Sequence, residues 1–253
     1  MRPFDRVSAV SAASERWVRA QQLIAEQPGP ADGPGNVADR LRRICGATAT
    51  ALSATGAGVS VITAEGAWGF AVASDPAIQP LEELQFTLGE GPCMDAMATR
   101  LPVLVPDVAD GATSRWPIYA SAVQEYGVRS VFAFPLGTAA VSIGVLDVFR
   151  VRPGRMTQED VAQSLTFAEI ARTTMLDGQD KASPGGMPEG FDQALGYRAE
   201  VFQAQGMVMV QLGVSPAEAL LRIRAYAYAQ GRSLVEVACD VVARRLRFDK
   251  DQQ

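Results

Sequence analysis

Three cysteines and a group of arginines near the C-terminus are the side chains of this chain with the clearest chemical potential. Cys45, Cys93 and Cys239 are far apart and form no CxxC pair, so neither a disulfide framework nor a zinc site is expected. Buried cysteines in a reducing compartment most often act as small apolar side chains. Cys93 follows a Gly-Pro pair at the expected start of a helix, where a thiol pKa can be lowered, so a redox role for it stays open.

Histidine is absent from the 253 residues. Its absence excludes a histidine general base, a histidine phosphoacceptor and histidine metal ligands. The net charge of −5 argues against non-specific nucleic-acid binding by the whole chain, although the C-terminal quarter has slightly more basic than acidic side chains. We predict no catalytic residue and no metal site, and the sequence does not identify a cofactor.

The longest apolar stretch, residues 131–149, is interrupted by Pro135, by two glycines and by Asp147. Two buried strands joined by a turn account for this pattern better than a membrane helix does. Residues 1–6 lack the apolar core of a signal peptide. We therefore expect a soluble cytoplasmic protein without a membrane partner.

Proline and glycine clusters divide the chain into four parts. Residues 1–35 comprise a helix over 5–27 and a linker rich in proline and glycine. Residues 36–176 mix strand and helix patterns and predict an α+β domain. A second linker spans 177–191, and residues 192–248 have only helical patterns, which predict an all-α bundle.

Strands are expected in the second part where β-branched and aromatic residues concentrate. The predicted strands are 58–62, 68–72, 101–105, 130–134 and 141–149. The first two flank a turn and suggest a hairpin, whereas Pro102 makes the third an edge strand because proline cannot donate to the ladder. The predicted helices of this part are 36–53, 93–99, 117–126 and 157–176.

Two S-x-x-E capping boxes divide the last part into three short helices. Ser215 and Ser233 each stand three residues before a glutamate and two after a glycine. A serine in this position accepts a bond from the backbone N–H three residues on, and the glycine ends the preceding helix. Pro216 fits the first helical position, where an N–H is not needed.

Residues 36–176 resemble the GAF family of small-molecule sensor domains. The matching segments are 88–93, 101–107, 127–130, 135–136 and 144–146. The resemblance implies a central antiparallel sheet flanked by helices, with a ligand between the sheet and a covering layer. The cyclic-nucleotide signature of some GAF domains is absent and the lack of histidine disfavours a tetrapyrrole, so the ligand stays unknown.

A glycine pair marks the candidate ligand site of this domain. Gly89 and Gly91 permit positive φ or close backbone approach just before a helix N-terminus, which attracts negative charge. A simple tight turn is an equally good interpretation of these glycines. With Cys93 and Asp107, which lie in the matching segments, they form the predicted ligand-binding set.

Residues 192–248 resemble the ANTAR domain, a three-helix RNA-binding antiterminator module. The matching residues are Arg198, Val201, 204–209, 218–219, 223–224, Ala227 and 237–238. The resemblance implies a homodimer that binds paired stem-loops in nascent RNA. The family usually has lysine where this chain has Gln205, which can hydrogen-bond to RNA but brings no charge.

Arginine suits loop recognition because its planar guanidinium stacks on unpaired bases and binds phosphate with two hydrogen bonds. The candidate RNA-binding residues are Arg198, Gln205, Arg222, Arg224, Arg232, Arg244 and Arg245. Arg198 and Gln205 lie seven residues apart, on one face of the first helix of the bundle. Arg244 and Arg245 are expected in the last turns of the third helix. A solvated, salt-bridged face is the alternative for any single arginine.

These patterns predict a regulator in which the GAF-like domain senses a small molecule or a redox signal and alters RNA binding by the tail. A reductase resembling the free methionine sulfoxide reductases is an alternative, although the spacing of the cysteines opposes it. A DNA-binding helical tail is another, because three short helices also describe helix-turn-helix domains. Apolar residues at partial heptad spacing in 157–177 and 191–202 could pair two subunits.

Overall fold

The structure is a computed structural model that describes residues 3–29, 35–62, 68–138, 142–179 and 192–249. The predicted turn at 64–66, most of the first linker and the glycine-rich stretch 181–190 lie outside the described residues. Side chains are described over most of these ranges, but not for residues 3–10, 62, 68–71, 113, 179 and 192–198.

Ten helices and five strands occur in the described residues. The helices are α1 (Pro3–Glu26), α2 (Val37–Ala51), α3 (Gln79–Leu88), α4 (Pro92–Thr99), α5 (Ala112–Arg115), α6 (Pro117–Glu125), α7 (Gln158–Gln179), α8 (Asp192–Leu212), α9 (Pro216–Ala229) and α10 (Leu234–Val242). The strands are β1 (Gly56–Ile62), β2 (Trp68–Ala73), β3 (Val103–Val105), β4 (Ser130–Gly137) and β5 (Ser142–Arg150). No described helix has both the length and the apolar character needed to cross a membrane.

The strands form one antiparallel sheet in the order β2-β1-β5-β4-β3. The predicted hairpin is confirmed, because β1 pairs with β2. The apolar stretch 131–149 is indeed two buried neighbouring strands, β4 and β5. β3 lies at one edge of the sheet and begins just after Pro102, as the missing N–H of that proline requires.

Helices cover both faces of the sheet and create two separate apolar cores. On one face α2 and α7 pack over residues such as Val59, Phe134 and Leu146. On the other face α3, α4 and α6 pack over residues such as Val145 and Phe149. Alternation of side chains along each strand supplies the two faces, so the α+β fold with a flanked antiparallel sheet is confirmed.

The N-terminal helix α1 packs on α2 and α7 and adds Ala20 to the first core. The guanidinium of Arg43 donates to the carbonyl of Ile24 at 2.8 and 3.1 Å and to that of Ala25 at 3.2 Å. These carbonyls belong to the last turn of α1, which lacks partners within the helix. Arg43 of α2 therefore fixes the end of α1 against α2.

The last two helices of the C-terminal bundle begin at the predicted residues. Ser215 and Ser233 are the N-caps of α9 and α10, and each accepts the N–H three residues on at 3.2 Å. Gly213 and Gly231 have φ of +69° and +59°. The third helix is shorter than expected because α10 ends at Val242. Arg244 and Arg245 lie after it rather than in its last turns, and Arg244 has a φ of +58°.

The sequence analysis did not predict α3, although this helix contacts both domains. Pro80 lies in the first turn of the helix, where a missing N–H is tolerated. The helix ends at Gly89, whose φ of +71° is the left-handed conformation of a glycine C-cap.

Candidate functional site

A cluster of polar side chains is enclosed between the sheet and the layer formed by α3, α4 and α6. Its members, each at most 1% exposed, are Ser60, Glu82, Gln85, Cys93, Tyr119 and Asp147. The strand register places Asp147 between Gly58 of β1 and Ala133 of β4. A Cβ at Gly58 would collide with the Glu82 carboxylate, so the glycine allows Glu82 to lie directly on the sheet.

Only part of the hydrogen-bonding capacity of this polar cluster is used. The Ser60 hydroxyl donates to Glu82 Oε2 at 3.0 Å, and the Cys93 N–H donates to Gln85 Oε1 at 2.8 Å. The Tyr119 hydroxyl and Gln85 Nε2 make no hydrogen bond with the described residues, and the polar neighbours of the Asp147 carboxylate are Cys93 and Glu82. A buried polar group without a partner costs about 1–3 kcal/mol, so these groups make the cluster a candidate site.

Burial dominates the ionisation of these groups. Burial raises the pKa of Asp147 to about 7, although its contacts with Cys93 and Glu82 lower it. Burial also raises the pKa of the Cys93 thiol well above its usual value, and the nearby charges of Asp147 and Glu82 raise it further. Burial, followed by the two acidic neighbours, thus opposes the lowering of the thiol pKa that the start of a helix can produce.

The glycine-rich segment that follows α3 connects three helices. Gly89 caps the end of α3, and Gly91 is the N-cap of α4 with a φ of +135°. Between them, Glu90 Oε1 accepts the N–H groups of Ile118 and Tyr119 at 2.7 and 2.8 Å, which caps the start of α6. Of the predicted ligand-binding residues here, only Cys93 belongs to the polar cluster itself.

Asp107, the fourth predicted ligand-binding residue, lies in the surface loop after β3. Its carboxylate accepts two hydrogen bonds from the Arg129 guanidinium, at 2.7 and 3.1 Å. It also accepts the N–H of Ala109 at 3.0 Å. These bonds lower the pKa of Asp107. The pair holds the loop to the start of β4, away from the members of the polar cluster.

The three cysteines do not share a site. Cys45 is buried in the core on the α2 side of the sheet, Cys93 in the core on the α3 side, and Cys239 in the C-terminal bundle. Burial raises the pKa of Cys45 as well. A mechanism that relays oxidation among clustered thiols has no geometrical basis among the described residues.

Arg224, a predicted RNA-binding residue, faces α3 instead of solvent. Its guanidinium lies 5.6 Å from the centre of the Phe86 ring and against Gly89. Burial lowers the pKa of Arg224, and its Nε has no hydrogen-bond partner among the described residues. Phe86 itself, a residue of α3, packs in the apolar core of the C-terminal bundle. This contact, which we call the α3–α9 interface, joins the two domains.

Three predicted RNA-binding arginines pair with acids on the surface of the bundle. Arg222 contacts Glu218 at 3.0 Å, and Arg232 and Arg245 both contact Asp240 at 2.7 Å. These pairs are partly exposed. Exposed pairs contribute at most about 1 kcal/mol, so a phosphate could replace the acid at any of them.

A groove of about 580 Å³ runs between α8 and the segment after α10. Its lining residues are Gln203, Gly206, Met207, Val210, Gln211, Arg244, Leu246 and Arg247. The Phe248 N–H donates to Gln211 Oε1 at 2.9 Å and holds this segment on α8. Val210 is 84% exposed. The groove thus combines apolar side chains with two guanidinium groups, and a guanidinium plane can stack on an unpaired base and bind phosphate.

Two predicted residues of α8 remain to be placed. The Arg198 side chain is outside the described residues. The Gln205 side chain donates from Nε2 to the Pro216 carbonyl at 2.7 Å and so ties α8 to the start of α9. Because Gln203 and Gln205 point to opposite sides of a helix, Gln205 lies away from the groove.

Sequence reasoning missed Glu82, Gln85, Tyr119 and Asp147. Asp147 carried a usable signal, because it is the one charged residue in the apolar stretch 131–149. Charged residues are rarely fully buried without a function or a partner. The other three could not be associated with it before α3 and α6 were placed over the sheet.

Comparison with known families agrees with this architecture. The GAF domain model matches residues 35–174, and the ANTAR domain model matches residues 189–242. The chain belongs to the GAF family. Its C-terminal bundle is an ANTAR domain.

Solved structures with a similar fold include GAF domains and an enzyme. The GAF domain of a phosphoenolpyruvate-protein phosphotransferase from Coxiella burnetii is 15% identical, with 67% of this chain and 95% of that chain covered and a TM-score of 0.48. The equivalent domain from Acinetobacter is 13% identical, with 67% and 96% covered and a TM-score of 0.47. The free methionine-R-sulfoxide reductase of Neisseria meningitidis is 17% identical, with 67% and 92% covered and a TM-score of 0.44. No match was found among curated proteins.

The raised pKa of Asp147 predicts that stability falls as pH rises. An aspartate in the unfolded chain ionises near pH 4, whereas Asp147 in the folded chain keeps its proton up to about pH 7. Folding therefore takes up a proton between these values, and the free energy of unfolding decreases with pH across that window. We expect the melting temperature to fall by several degrees from pH 5 to pH 8 in a thermal unfolding series.

Asp147→Asn should remove most of this decrease, because the amide stays neutral at every pH. Its melting temperature should exceed that of the wild type at pH 8. The absence of histidine leaves few other side chains that titrate in this range. Asp107→Asn is the matched control, because the pKa of Asp107 is lowered and its ionisation is complete below the window. If the melting temperatures of Asp147→Asn and the wild type fell in parallel with pH, Asp147 would not be the group responsible for the decrease.

Proposed function

We propose that this protein is a signal-responsive transcription antitermination regulator whose sensor domain controls RNA binding by its ANTAR domain. The proposal combines the two families to which the domains belong with the contacts between the domains. A small molecule bound in the sensor domain would change the presentation of the bundle to hairpin loops in nascent RNA. That bound RNA would then favour an antiterminator structure and let the polymerase pass.

The observation that carries this proposal is the position of α3 between the two domains. Glu82 and Gln85 on this helix belong to the buried polar cluster, and Phe86, on the adjacent position, belongs to the core of the bundle. The bundle also contacts the edge strand β2 through α8. A ligand that displaces α3 by a small distance would thereby act on Arg224 directly, which supplies a physical route between signal and output.

The groove beside α8 is the RNA contact that we favour for this arrangement. Arg244 and Arg247 are both strongly exposed and flank its apolar floor. Arg232 and Arg245 are linked nearby through Asp240. Arg224 would join the RNA contact only after the α3–α9 interface opens.

Substitution of both groove arginines should weaken hairpin binding. Because each base or phosphate contact contributes about 1–3 kcal/mol, Arg244→Ala and Arg247→Ala should each reduce affinity roughly 5- to 100-fold in a gel-shift titration with paired RNA hairpins. Arg42→Ala is the matched control, an exposed and ion-paired arginine of the sensor domain. Duplex DNA and scrambled RNA serve as competing ligands. Equal loss with the control variant, or preference for duplex DNA, would refute the proposed RNA surface.

Weakening the α3–α9 interface should have the opposite effect. Phe86→Ala removes the ring against which Arg224 lies. In the absence of any ligand, the bundle should then be released from α3 in a larger fraction of the molecules. Allosteric coupling commonly amounts to about 1–3 kcal/mol, which corresponds to RNA affinity at least 5-fold higher than that of the wild type. Leu104→Ala, on the opposite edge of the sheet, should leave affinity unchanged. Unaltered or lower affinity of a folded Phe86→Ala protein would argue against control through α3.

We further propose that the protein is a homodimer that pairs through α1 and α7. Trp17, Val18 and Leu165 are large apolar residues that are 38%, 56% and 45% exposed on these two adjoining helices. Exposed large apolar side chains on neighbouring helices are candidates for an interaction site. A dimer would also supply two bundles for two hairpins.

Charge introduced on this surface should separate the subunits. Val18→Glu combined with Leu165→Glu should shift the mass measured by sedimentation or light scattering from dimer to monomer, because both carboxylates would be buried in the interface. Leu101→Glu, at an equally exposed site elsewhere, should remain dimeric. A wild-type protein that is monomeric with and without RNA would exclude the dimer.

A further inference from the structure

Two acidic side chains of the polar cluster lie in contact with each other. Glu82 of α3 and Asp147 of β5 are 1% and 0% exposed, and Glu82 is a hydrogen-bonding neighbour of the Asp147 carboxyl group. An ionised carboxylate only accepts hydrogen bonds, so a bond between two carboxyl groups requires a proton on one of them. Two acids in such contact do not ionise together. The pair therefore holds a proton while α3 lies on the sheet.

The position of Glu82 in this pair is fixed by the sheet. Its Oε2 accepts the hydroxyl of Ser60 at 3.0 Å, and the missing side chain of Gly58 leaves the space that the carboxyl group occupies. Cys93 is the second hydrogen-bonding neighbour of Asp147. Because Glu82 is enclosed by these contacts, its carboxyl group can move away from Asp147 only if α3 moves with it.

The other ionisable groups that interact with the acid pair come from three further helices and are Cys45 of α2, Cys93 of α4 and Tyr119 of α6. Burial raises the pKa of all three groups, and the charges of the two acids raise it further. They are therefore neutral near pH 7. Arg42 of α2 acts on Cys45 but is not among the influences on Asp147. The change of charge in this pH range is thus confined to the acid pair.

Loss of the shared proton places two negative charges side by side in an apolar core. Burial raises the pKa of Asp147 to about 7, so this loss falls near neutral pH. β5 is the central strand and is hydrogen-bonded to β1 on one side and to β4 on the other. α3 meets the sheet through side chains such as Glu82. Repulsion between the two carboxylates is therefore relieved by displacement of α3 and not of β5.

We propose that Glu82 and Asp147 form a proton-operated switch, in which the shared proton keeps α3 on the sheet and its loss to solvent displaces α3 and releases the C-terminal bundle. Phe86 lies four residues after Glu82 on the same helix and belongs to the core of the bundle, and Arg224 lies against its ring. Displacement of α3 thus acts on Arg224 through one rigid element. This inference rests on the proposed function, since it names the proton as a signal that controls RNA binding.

The test is the pH dependence of RNA binding by the full chain. Affinity for paired RNA hairpins is measured by fluorescence anisotropy at pH 6, 7 and 8 and constant ionic strength. Opening releases one proton, so we expect affinity to rise roughly 3- to 10-fold from pH 6 to pH 8. Hydrogen exchange of the free protein, corrected for its intrinsic pH dependence, should show that residues 79–88 lose protection over the same range.

Two amide variants connect this effect with the acid pair. Asp147→Asn and Glu82→Gln each keep the shape and a hydrogen bond but remove the repulsion, so both should bind RNA at pH 8 as the wild type does at pH 6. They lie on different elements, so poor folding of one, checked by circular dichroism, leaves the other informative. Asp107→Asn, a surface acid, should keep the rise of the wild type. Phe86→Ala should bind tightly at both pH values, because its bundle is already released.

Two results would overturn the switch. One is a rise of RNA affinity with pH that both amide variants retain, and the other is protection of residues 79–88 that is equal at pH 6 and pH 8. The switch and the proposed function can fail separately. Specific hairpin binding with the same affinity at all three pH values would refute the switch and uphold RNA binding. Loss of α3 protection that Asp147→Asn abolishes, without hairpin binding at any pH, would uphold the switch and refute the proposed function.

Discussion

Helix α3 has to satisfy two cores at once, and this constraint governs the arrangement of the whole molecule. Its inner side places two polar side chains, Glu82 and Gln85, against Ser60 and Asp147 of the sheet, within a core that is otherwise apolar. Phe86 points into a bundle formed by residues more than a hundred positions later in the chain. A helix shared in this way cannot be repositioned on one side without a change of packing on the other.

The segment that follows α3 fixes the position of this helix by hydrogen bonds rather than by the packing of large side chains. Gly89 and Gly91 turn the chain with positive φ, and Glu90 caps α6 between them. Gln85 reaches forward to the N–H of Cys93 in α4. Three helices of one layer are thereby held together within a few residues. The shape of this turn is set by backbone conformation, and the glycines serve both the turn and the contact with Arg224.

Local signals in the sequence were sufficient for most of the secondary structure. The hairpin of β1 and β2, the edge position of β3, and the serine caps of α9 and α10 each follow from a few neighbouring residues, and the structure contains all of them. The helix α3 was missed because Pro80 resembles a loop residue until its place in the first turn is known. The end of α10 was placed too late because helical spacing continues past Val242.

The candidate site was less accessible to sequence reasoning, because it depends on contacts between distant elements. Asp147 meets Glu82 only when β5 pairs with β1 and α3 crosses the sheet. Neither contact produces a periodic pattern in the amino-acid sequence from which it could be predicted. Burial, and then the charges of two acids that are distant in sequence, raise the pKa of the Cys93 thiol, and neither cause can be seen in the residues around Cys93. Arg224 was assigned to RNA from its position in the ANTAR pattern, and its burial against Phe86 could be seen only with both domains present.

The membership of Phe86 in the core of the ANTAR domain has a consequence for how the protein tolerates change. Because the two domains share apolar surface, their free energies of unfolding are not independent, and damage to the bundle core near Ile223 also loosens α3. We accordingly expect the residues at positions 86, 89 and 224 to change together rather than one at a time. A different sensor domain could therefore not replace this one by fusion at the linker alone. It would lack an aromatic ring equivalent to Phe86, and the core of the bundle would be incomplete.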